Sequence, residues 1–141
     1  MNRSASNIPL PAPDTGKNYP VLAALKQRQT TRMISDEVLS PQQLSDLLWA
    51  AWGVNRQPGP FGVPGRTAAS ASNSQEIDLY VALADGAYLY DALEHRLLRV
   101  SGEDLRTRAL TPGQKNISAV AGVQLIYVAD VDKLTHTRGF N

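Results

Sequence analysis

The residues best suited to chemistry in this sequence are the five consecutive residues Arg28–Arg32. They read Arg-Gln-Thr-Thr-Arg and place two permanent positive charges and two hydroxyl groups in one short stretch. A guanidinium donates two parallel hydrogen bonds to phosphate oxygens, and a threonine hydroxyl adds a neutral donor. The stretch therefore fits a site for one phosphate group. The alternative is a solvated helix end, because cations near a helix C-terminus interact favourably with the helix dipole.

A second polar stretch, from Arg66 to Gln75, combines small residues with hydrogen-bonding side chains. It reads RTAASASNSQ and contains almost no apolar bulk. Small residues let a flat ligand approach the backbone, while the side chains of Ser70, Asn73 and Gln75 can pair with its heteroatoms. The alternative interpretation is an N-capped turn that opens a short helix.

Composition excludes several other classes of site. The 141 residues suit a single domain, and 14 Lys+Arg against 13 Asp+Glu create no global field for nucleic acid or an acidic membrane. Without cysteine there is no disulfide, thiolate nucleophile or zinc-thiolate site, and His95 and His136 lack metal-ligand spacing. We predict no metal site. The sequence has no apolar run of membrane-spanning length and no secretion signal, so we expect a soluble, cytoplasmic protein.

Two helices are predicted before the polar loop. Pro20 suits the first turn of a helix that runs to about Gln29. The segment Pro41–Trp52 has Ser40 as a candidate N-cap, Pro41 at the first helical position and apolar residues at helical spacing, before Gly53 ends it. Trp49 and Trp52 widen its apolar face, which indicates either core packing alone or burial against the core and another subunit.

Strand patterns dominate the second half of the sequence. Strands are predicted at Ile77–Ala84, Ala87–Tyr90 and Leu97–Val100, with a hairpin turn at Asp85-Gly86. Gly122–Ala129 is almost continuously apolar, which is typical of a central strand covered on both faces. Between them, Gly102–Arg108 is predicted as a short polar helix and Lys115–Ala121 as a short turn or helix. The order of elements predicts an α+β domain.

The N-terminal residues 1–18 form a separate unit in this interpretation. Three prolines among small and polar residues disfavour a helix and favour extended chain, so we predict an arm outside the core. Ile8 and Leu10 on that arm are candidates for docking on a partner surface. Residues 19–141 then form the domain itself, with a loop at Gln57–Gly65, where prolines and glycines are concentrated.

Several of these stretches, taken in order, resemble one family. The chain is similar to the N-terminal part of FMN-dependent nitroreductases, nearest the subgroup related to oxidases of azoline-containing peptides. The stretches that carry the resemblance are LPAPDTG, LKQRQTTRMIS, LSPQQLSDLLWAAWGVNR, GRTAASASNSQEIDLYV, DGAYLYD and GVQLIYVAD. The resemblance implies a nitroreductase-like α+β fold with a mostly antiparallel central sheet flanked by helices. It also implies that the family domain is incomplete at the C-terminus of this chain.

The resemblance assigns roles to the first polar stretch. Arg28 and Thr30 correspond to residues that hold the FMN phosphate and ribityl chain, and Arg32 to one near the phosphate or the pyrimidine edge of the flavin. Gln29 stands where the family pattern has a second arginine, so one charge is absent. Thr30 replaces a serine and keeps the hydroxyl.

The resemblance also assigns the second stretch to the flavin of another subunit. Ser70, Ala71 and Asn73 match a family segment that crosses a homodimer interface, although Ala69 replaces the usual proline. Gln114 matches a position whose amide meets the pyrimidine edge. The resemblance therefore implies a homodimer with shared sites, or a second polypeptide that supplies the rest of the domain.

Three functions remain open from the sequence. One is an FMN-dependent oxidoreductase that uses NAD(P)H to reduce nitroaromatic, quinone or similar small-molecule acceptors by a ping-pong mechanism. Another is a flavin-dependent dehydrogenase or oxidase of peptide-derived substrates. The third is a non-catalytic, truncated flavin-binding or interaction module. In the first two the flavin carries the redox chemistry, which fits a sequence without an evident protein nucleophile.

Overall fold

An antiparallel sheet forms the centre of the molecule. The computed structural model describes residues 6–16, 19–35, 37–59, 62–108, 110–115 and 121–137. Five strands pair in the order β1-β6-β5-β4-β7, and every neighbouring pair is antiparallel. Their bounds are β1 Ile8–Pro9, β4 Ile77–Leu83, β5 Gly86–Asp91, β6 Arg96–Ser101 and β7 Gln124–Ala129. The predicted α+β class is confirmed, and the three strands predicted between residues 77 and 100 are present.

Helix α2, Pro41–Trp52, packs its apolar stripe on this sheet. Leu44, Leu48 and Trp52 are buried in one cluster with Leu79 and Tyr88 of the sheet. The predicted start is confirmed, because the Ser40 hydroxyl accepts from the Gln43 amide and the Gln43 side chain accepts from the Ser40 amide. This reciprocal capping box satisfies two amides that the first turn leaves unpaired.

The hairpin between β4 and β5 turns one residue earlier than predicted. Leu83 pairs with Gly86, so the turn residues are Ala84 and Asp85 and Gly86 opens β5. A side chain at Gly86 would bring its Cβ within 2.5 Å of the Ser101 carbonyl oxygen. The glycine is therefore explained by the close approach of β6 and not by a turn position.

The predicted central strand is present but lies at an edge. β7 pairs with β4 alone among the described strands, and Tyr127 and Val128 remain exposed. The expectation of a strand covered on both faces is therefore wrong for this chain. An apolar strand pattern reports how many faces a strand is able to bury, whereas its position depends on which elements pack beside it.

The N-terminal arm is extended, as predicted, but it does not lie apart from the core. β1 pairs with β6 through Ile8↔Leu97, and both Ile8 and Leu10 pack against the core cluster of their own chain. Further along the arm, the Asp14 amide donates to the Asp46 carboxylate on α2. The arm therefore completes one edge of the sheet and lies alongside α2.

Two predicted short helices have different outcomes. Residues 102–108 form bends and turns in place of a helix, because the Asp104 carboxylate accepts from both the backbone amide and the guanidinium of Arg106. Such local side-chain bonds compete with helical hydrogen bonds. A short helix α3 spans Pro112–Lys115, while residues 116–120 of the predicted Lys115–Ala121 element lie outside the described residues.

Two smaller elements flank α2. Helix α1, Val21–Gln27, precedes it, and its C-cap is Arg28. After α2, strands β2, Val54–Arg56, and β3, Gly65–Arg66, pair as a small antiparallel ribbon. A final 3-10 segment covers Val131–Thr137.

Among the helices in the described ranges, none combines the length and apolar character needed to cross a membrane.

Candidate functional site

The Arg28–Arg32 stretch lies on a part of the chain that is open to solvent. None of the residues of α1 is buried, and Leu22 is 79% exposed. Arg28, Gln29, Thr30 and Arg32 are all exposed, and their side chains have no hydrogen bond or ion pair with the described residues. The stretch therefore offers unpaired donors, but one chain does not close them into a pocket.

The second polar stretch forms a strained loop. A single 3-10 turn spans Ala71–Asn73, and Ser72, Asn73 and Gln75 have φ angles of 52°, 54° and 49°. Asparagine tolerates this region better than most residues, whereas Ser72 and Gln75 each cost about 1 kcal/mol or more there. The Ser70 hydroxyl steadies the loop by accepting from the Gln75 backbone amide at 3.0 Å.

Asn73 carries the unusual polar atom of this loop. Its side-chain Oδ1 accepts from Gln75 Nε2 at 3.0 Å. Its Nδ2 is buried and has no hydrogen-bond partner among the described residues. A buried donor left unpaired costs about 1–3 kcal/mol, so natural proteins retain one chiefly where a further partner binds.

Arg66 and Thr67 attach the loop to the C-terminal end of α2. The Thr67 hydroxyl donates to the Trp49 carbonyl at 2.9 Å, and Arg66 Nη1 donates to the Trp52 carbonyl at 3.3 Å. The Arg66 guanidinium also lies 5.2 Å from the centre of the Trp52 ring. The Trp52 carbonyl is one that the last helical turn leaves open, whereas the Trp49 carbonyl also accepts from the Gly53 amide at 2.8 Å. The Arg66 guanidinium places a positive charge at the favourable end of the helix dipole.

Burial has an electrostatic cost for Arg66. Loss of solvent lowers the pKa of its guanidinium, while the nearby Tyr90, Asp91 and Asp78 oppose that shift. Arginine nevertheless stays protonated at any physiological pH. The loop is therefore anchored by a permanent cation that can only donate hydrogen bonds.

Gln114 lies on a different element from the other predicted residues. It is exposed on α3, where its side-chain Oε1 accepts from the Thr111 backbone amide at 2.8 Å. The Gln114 backbone amide in turn donates to the Thr111 hydroxyl. This reciprocal pair caps the short helix. Its side-chain oxygen is therefore engaged locally, and only its amino group is available for another partner.

The eight predicted residues thus fall into three groups. Ser70, Ala71 and Asn73 share one loop, the Arg28–Arg32 stretch is separate, and Gln114 is on α3. No hydrogen bond or ion pair within the described part of the chain joins one group to another. The structure of a single chain therefore does not assemble them into one closed site.

A polar cluster that the sequence patterns did not predict lies beside the core. Ser45 is fully buried on α2, and its hydroxyl lies 2.7 Å from His95 Nε2 and 2.6 Å from the Pro11 carbonyl oxygen. His95 Nδ1 lies 2.9 Å from the Tyr90 hydroxyl, and Nε2 lies 2.9 Å from the same Pro11 oxygen. Burial raises the pKa of Tyr90 to about 12.

The arrangement resembles a nucleophilic triad but has the wrong proton positions. A carbonyl oxygen only accepts, so both the Ser45 hydroxyl and His95 Nε2–H donate to Pro11, and the Tyr90 hydroxyl donates to Nδ1. A nucleophilic serine needs the opposite tautomer, with Nε2 free to take its proton. The cluster therefore serves to hold the arm. Sequence offered no signal for it, because Pro11, Ser45 and His95 are far apart along the chain.

A groove of about 590 Å³ lies between the arm, α2 and β2. Leu10, Trp49 and Leu93 form much of its apolar lining, and Arg56 is among its polar residues. None of the eight predicted site residues lines it. This groove is therefore separate from the strained loop, and its volume alone assigns it no ligand.

The sheet, the helix α2 and the strained loop that follows it together define an α+β, nitroreductase-like fold. A protein-family model described as Nitroreductase family matches residues 25–138. Because the match covers most of the sequence, the chain belongs to the nitroreductase family.

Two relatives agree with this assignment. The crystal structure of a provisionally named nitroreductase from Ralstonia eutropha JMP134 matches with a TM-score of 0.84 and 36% identity, over 99% of this chain and 63% of that one. The provisionally named nitroreductase MJ1384 of Methanocaldococcus jannaschii is 28% identical over 122 residues, which is 82% of this chain and 59% of the relative. The chain therefore spans about three fifths of the length of these relatives.

Proposed function

We propose that this chain is part of an FMN-dependent oxidoreductase that uses NAD(P)H to reduce nitroaromatic, quinone or similar acceptors. Membership of the nitroreductase family supports an oxidoreductase activity. The observation that carries the proposal is the buried, unpaired Nδ2 of Asn73 on a strained loop. A ligand atom that accepts from this donor would offset the cost of leaving it unpaired.

The donor groups on the chain fit the chemistry of FMN. The flavin ring presents carbonyl oxygens and unprotonated ring nitrogens, which are partners for the Asn73 amino group. The phosphate requires cationic and hydroxyl donors, and Arg28, Thr30 and Arg32 expose such groups without local partners. Bound FMN would supply the redox chemistry, namely hydride uptake from NAD(P)H and reduction of a second substrate in ping-pong order.

Each group of residues then has a defined task. Arg28 and Thr30 would bind the phosphate and ribityl chain, with Arg32 at the phosphate or the pyrimidine edge. Gln29 contributes no charge, so a single chain offers a weaker grip than two adjacent arginines would. Ser70, Ala71 and Asn73 would contact the ring, and the amino group of Gln114 would reach its pyrimidine edge.

The separation of these groups favours a shared site between two copies of the chain. Val21, Leu22 and Leu25 of α1 are at least 60% exposed, next to the proposed phosphate site. An apolar helix face of this kind gains free energy from a covering partner. We therefore propose a homodimer in which the Arg28–Arg32 stretch of one protomer and the Ser70–Asn73 loop of the other bind the same flavin. A cytoplasmic location remains a prediction.

FMN titration of the purified chain tests this assignment. Quenching of flavin fluorescence should report saturable binding, and NADH or NADPH should bleach the flavin absorbance until a quinone restores it. Arg28→Ala should weaken FMN binding about tenfold to a hundredfold, because it removes charge-assisted hydrogen bonds to a phosphate. Asn73→Ala should weaken it about tenfold.

Matched controls separate these effects from general loss of charge or polarity. Arg108 and Asn7 are exposed like the residues of the Arg28–Arg32 stretch, and their side chains have no hydrogen-bond partner among the described residues. Arg108→Ala and Asn7→Ala should therefore bind FMN as the unchanged chain does. No FMN binding by the unchanged chain, or equal binding by Arg28→Ala and Arg108→Ala, would contradict the proposal. Binding without NAD(P)H-dependent bleaching would indicate a non-catalytic flavin-binding module instead.

A further inference from the structure

Arg66 determines more than the attachment of the loop. Its Nε donates to the side-chain oxygen of Gln75 at 2.7 Å, and its Nη1 donates to the Trp52 carbonyl at 3.3 Å. A guanidinium has five N–H donors and no acceptor. The Gln75 atom that faces Arg66 must therefore be the oxygen, because the amino group of Gln75 would meet another donor there.

The orientation of Gln75 follows from that contact. With its oxygen toward Arg66, its Nε2 faces the Pro64 carbonyl oxygen at 2.6 Å and Asn73 Oδ1 at 3.0 Å. The Pro64 oxygen only accepts, so Nε2 satisfies both constraints by donating. The contacts with Arg66 and with Pro64 thus require the same orientation of the Gln75 amide.

The same logic extends to Asn73. Because Gln75 Nε2 is a donor, the Asn73 atom that faces it must be the oxygen. Asn73 Nδ2 is then the atom that remains buried without a partner among the described residues. The unpaired atom of the loop is therefore a donor because Arg66, two hydrogen bonds away, and the Pro64 carbonyl oxygen together fix the Gln75 amide.

The backbone and the helix make this relay rigid. The left-handed φ angles of Asn73 and Gln75, 54° and 49°, direct the two amides toward each other. The ring of Trp52 and its carbonyl hold the guanidinium at the end of α2. The orientation of the buried Asn73 amide is thus held by a rigid set of contacts, so the side chain loses little entropy when it gains a further partner.

We propose that Arg66 is a positioning residue that acts through Gln75 to orient the Asn73 amide, so that the loop accepts only a ligand with a hydrogen-bond acceptor at that point. The identity of the ligand as FMN rests on the function proposed above, whereas the orientation of the two amides does not. Under that function, the group that meets Asn73 is a flavin carbonyl oxygen or unprotonated ring nitrogen.

A double-mutant cycle with FMN measures the relay. Asn73→Ala should weaken FMN binding about tenfold, Arg66→Gln should weaken it less because the Pro64 carbonyl oxygen still favours the same Gln75 orientation, and the double variant should bind no more weakly than Asn73→Ala. Arg66→Lys should bind more tightly than Arg66→Gln, because an ammonium also only donates. Losses of the two single variants that multiply in the double variant, or Arg66→Gln binding as the unchanged chain, would overturn the proposal.

Proton exchange in the ligand-free chain tests the orientation without FMN. The Gln75 side-chain amino group donates two hydrogen bonds, whereas the exposed Gln29 side chain has no partner among the described residues. NMR should therefore show slower exchange of the Gln75 NH₂ protons than of the Gln29 NH₂ protons. The protection should be reduced in Arg66→Gln, where the Pro64 carbonyl oxygen alone orients the amide, and kept in Arg66→Lys. Equal exchange at Gln75 and Gln29 in the unchanged chain would overturn the relay, even if Arg66→Gln does not fold. Protection at Gln75 in a chain that binds no FMN would support the orientation of the two amides and contradict only the proposed function.

Discussion

At the scale of single residues, His95 brings together parts of the chain that are distant in sequence. It contacts the arm at Pro11, α2 at Ser45 and β5 at Tyr90. Burial raises the pKa of Tyr90 to about 12, against the opposing charge of Arg66 and with help from the carboxylate of Asp91. Because Tyr90 keeps its proton in the folded chain at a pH where the unfolded chain has lost it, the free energy of unfolding depends on pH in the alkaline range.

We expect the free energy of unfolding to fall as pH rises from about 10 to about 12. In that range Tyr90 is ionised in the unfolded chain, with its pKa near the usual value of about 10, but still protonated in the folded chain. Tyr90→Phe should be less stable at pH 7, where the His95 hydrogen bond is lost, yet its stability should decline less steeply above pH 10. Urea unfolding at a series of pH values measures both.

Tyr127→Phe is the control for that titration, because Tyr127 is 54% exposed on β7. Its alkaline slope should match that of the unchanged chain. Some slope should persist in Tyr90→Phe, since burial and Asp85 also raise the pKa of Tyr88. Identical slopes in Tyr90→Phe and the unchanged chain would contradict the assignment.

At the scale of elements, α2 connects the core to the candidate site. Its N-terminal end is capped by Ser40 and Gln43, its middle is buried on the sheet, and its C-terminal carbonyls receive donors from Arg66 and Thr67. The strained loop is thus attached to a helix that the core already fixes. Any disturbance of α2 should reach the loop through these carbonyls.

Ser40→Ala should lower the free energy of unfolding by about 1 kcal/mol, because the Gln43 amide loses its side-chain acceptor. Denaturant unfolding measures the change. Ser6→Ala is a matched control, since Ser6 is exposed on the arm and outside any helix. Equal stability of the two variants would mean that the capping box contributes nothing measurable.

At the scale of the whole molecule, the exposed apolar side chains include those of α1 and of the edge strand β7. Val21, Leu22 and Leu25 on α1 are exposed, and so are Tyr127 and Val128 on the edge strand β7. Surfaces of this kind are typical of protein interfaces. They are consistent with the proposal that binding groups from two protomers meet at one flavin.

We predict a dimer or larger assembly in light scattering. Leu22→Asp should shift the chain toward the monomer and weaken FMN binding, because a charge on the α1 face opposes burial of that face. Leu93→Asp is the control, since Leu93 is 54% exposed at the turn between β5 and β6. A monomer that binds FMN at full occupancy would contradict the cross-subunit role of Ser70 and Asn73.

Local sequence determined the elements whose hydrogen bonds and apolar contacts repeat along the chain. Helix α2 has its cap, its first-turn proline and its apolar stripe within 13 residues, Ser40–Trp52, and the structure has the predicted bounds. Strands β4, β5 and β6 were predictable for the same reason, because alternation and turn residues act between near neighbours. The polar loop was also identified from its composition.

Only the tertiary structure decided how these elements meet. It placed β7 at an edge, paired the arm with β6 and brought Ser45, His95 and Tyr90 together, through contacts between segments distant in sequence. It also gave Asn73 and Gln75 their left-handed φ angles and aligned their amides with Arg66. The sequence determines which hydrogen-bond donors and acceptors this protein has, whereas the path of the backbone determines which donor remains unpaired.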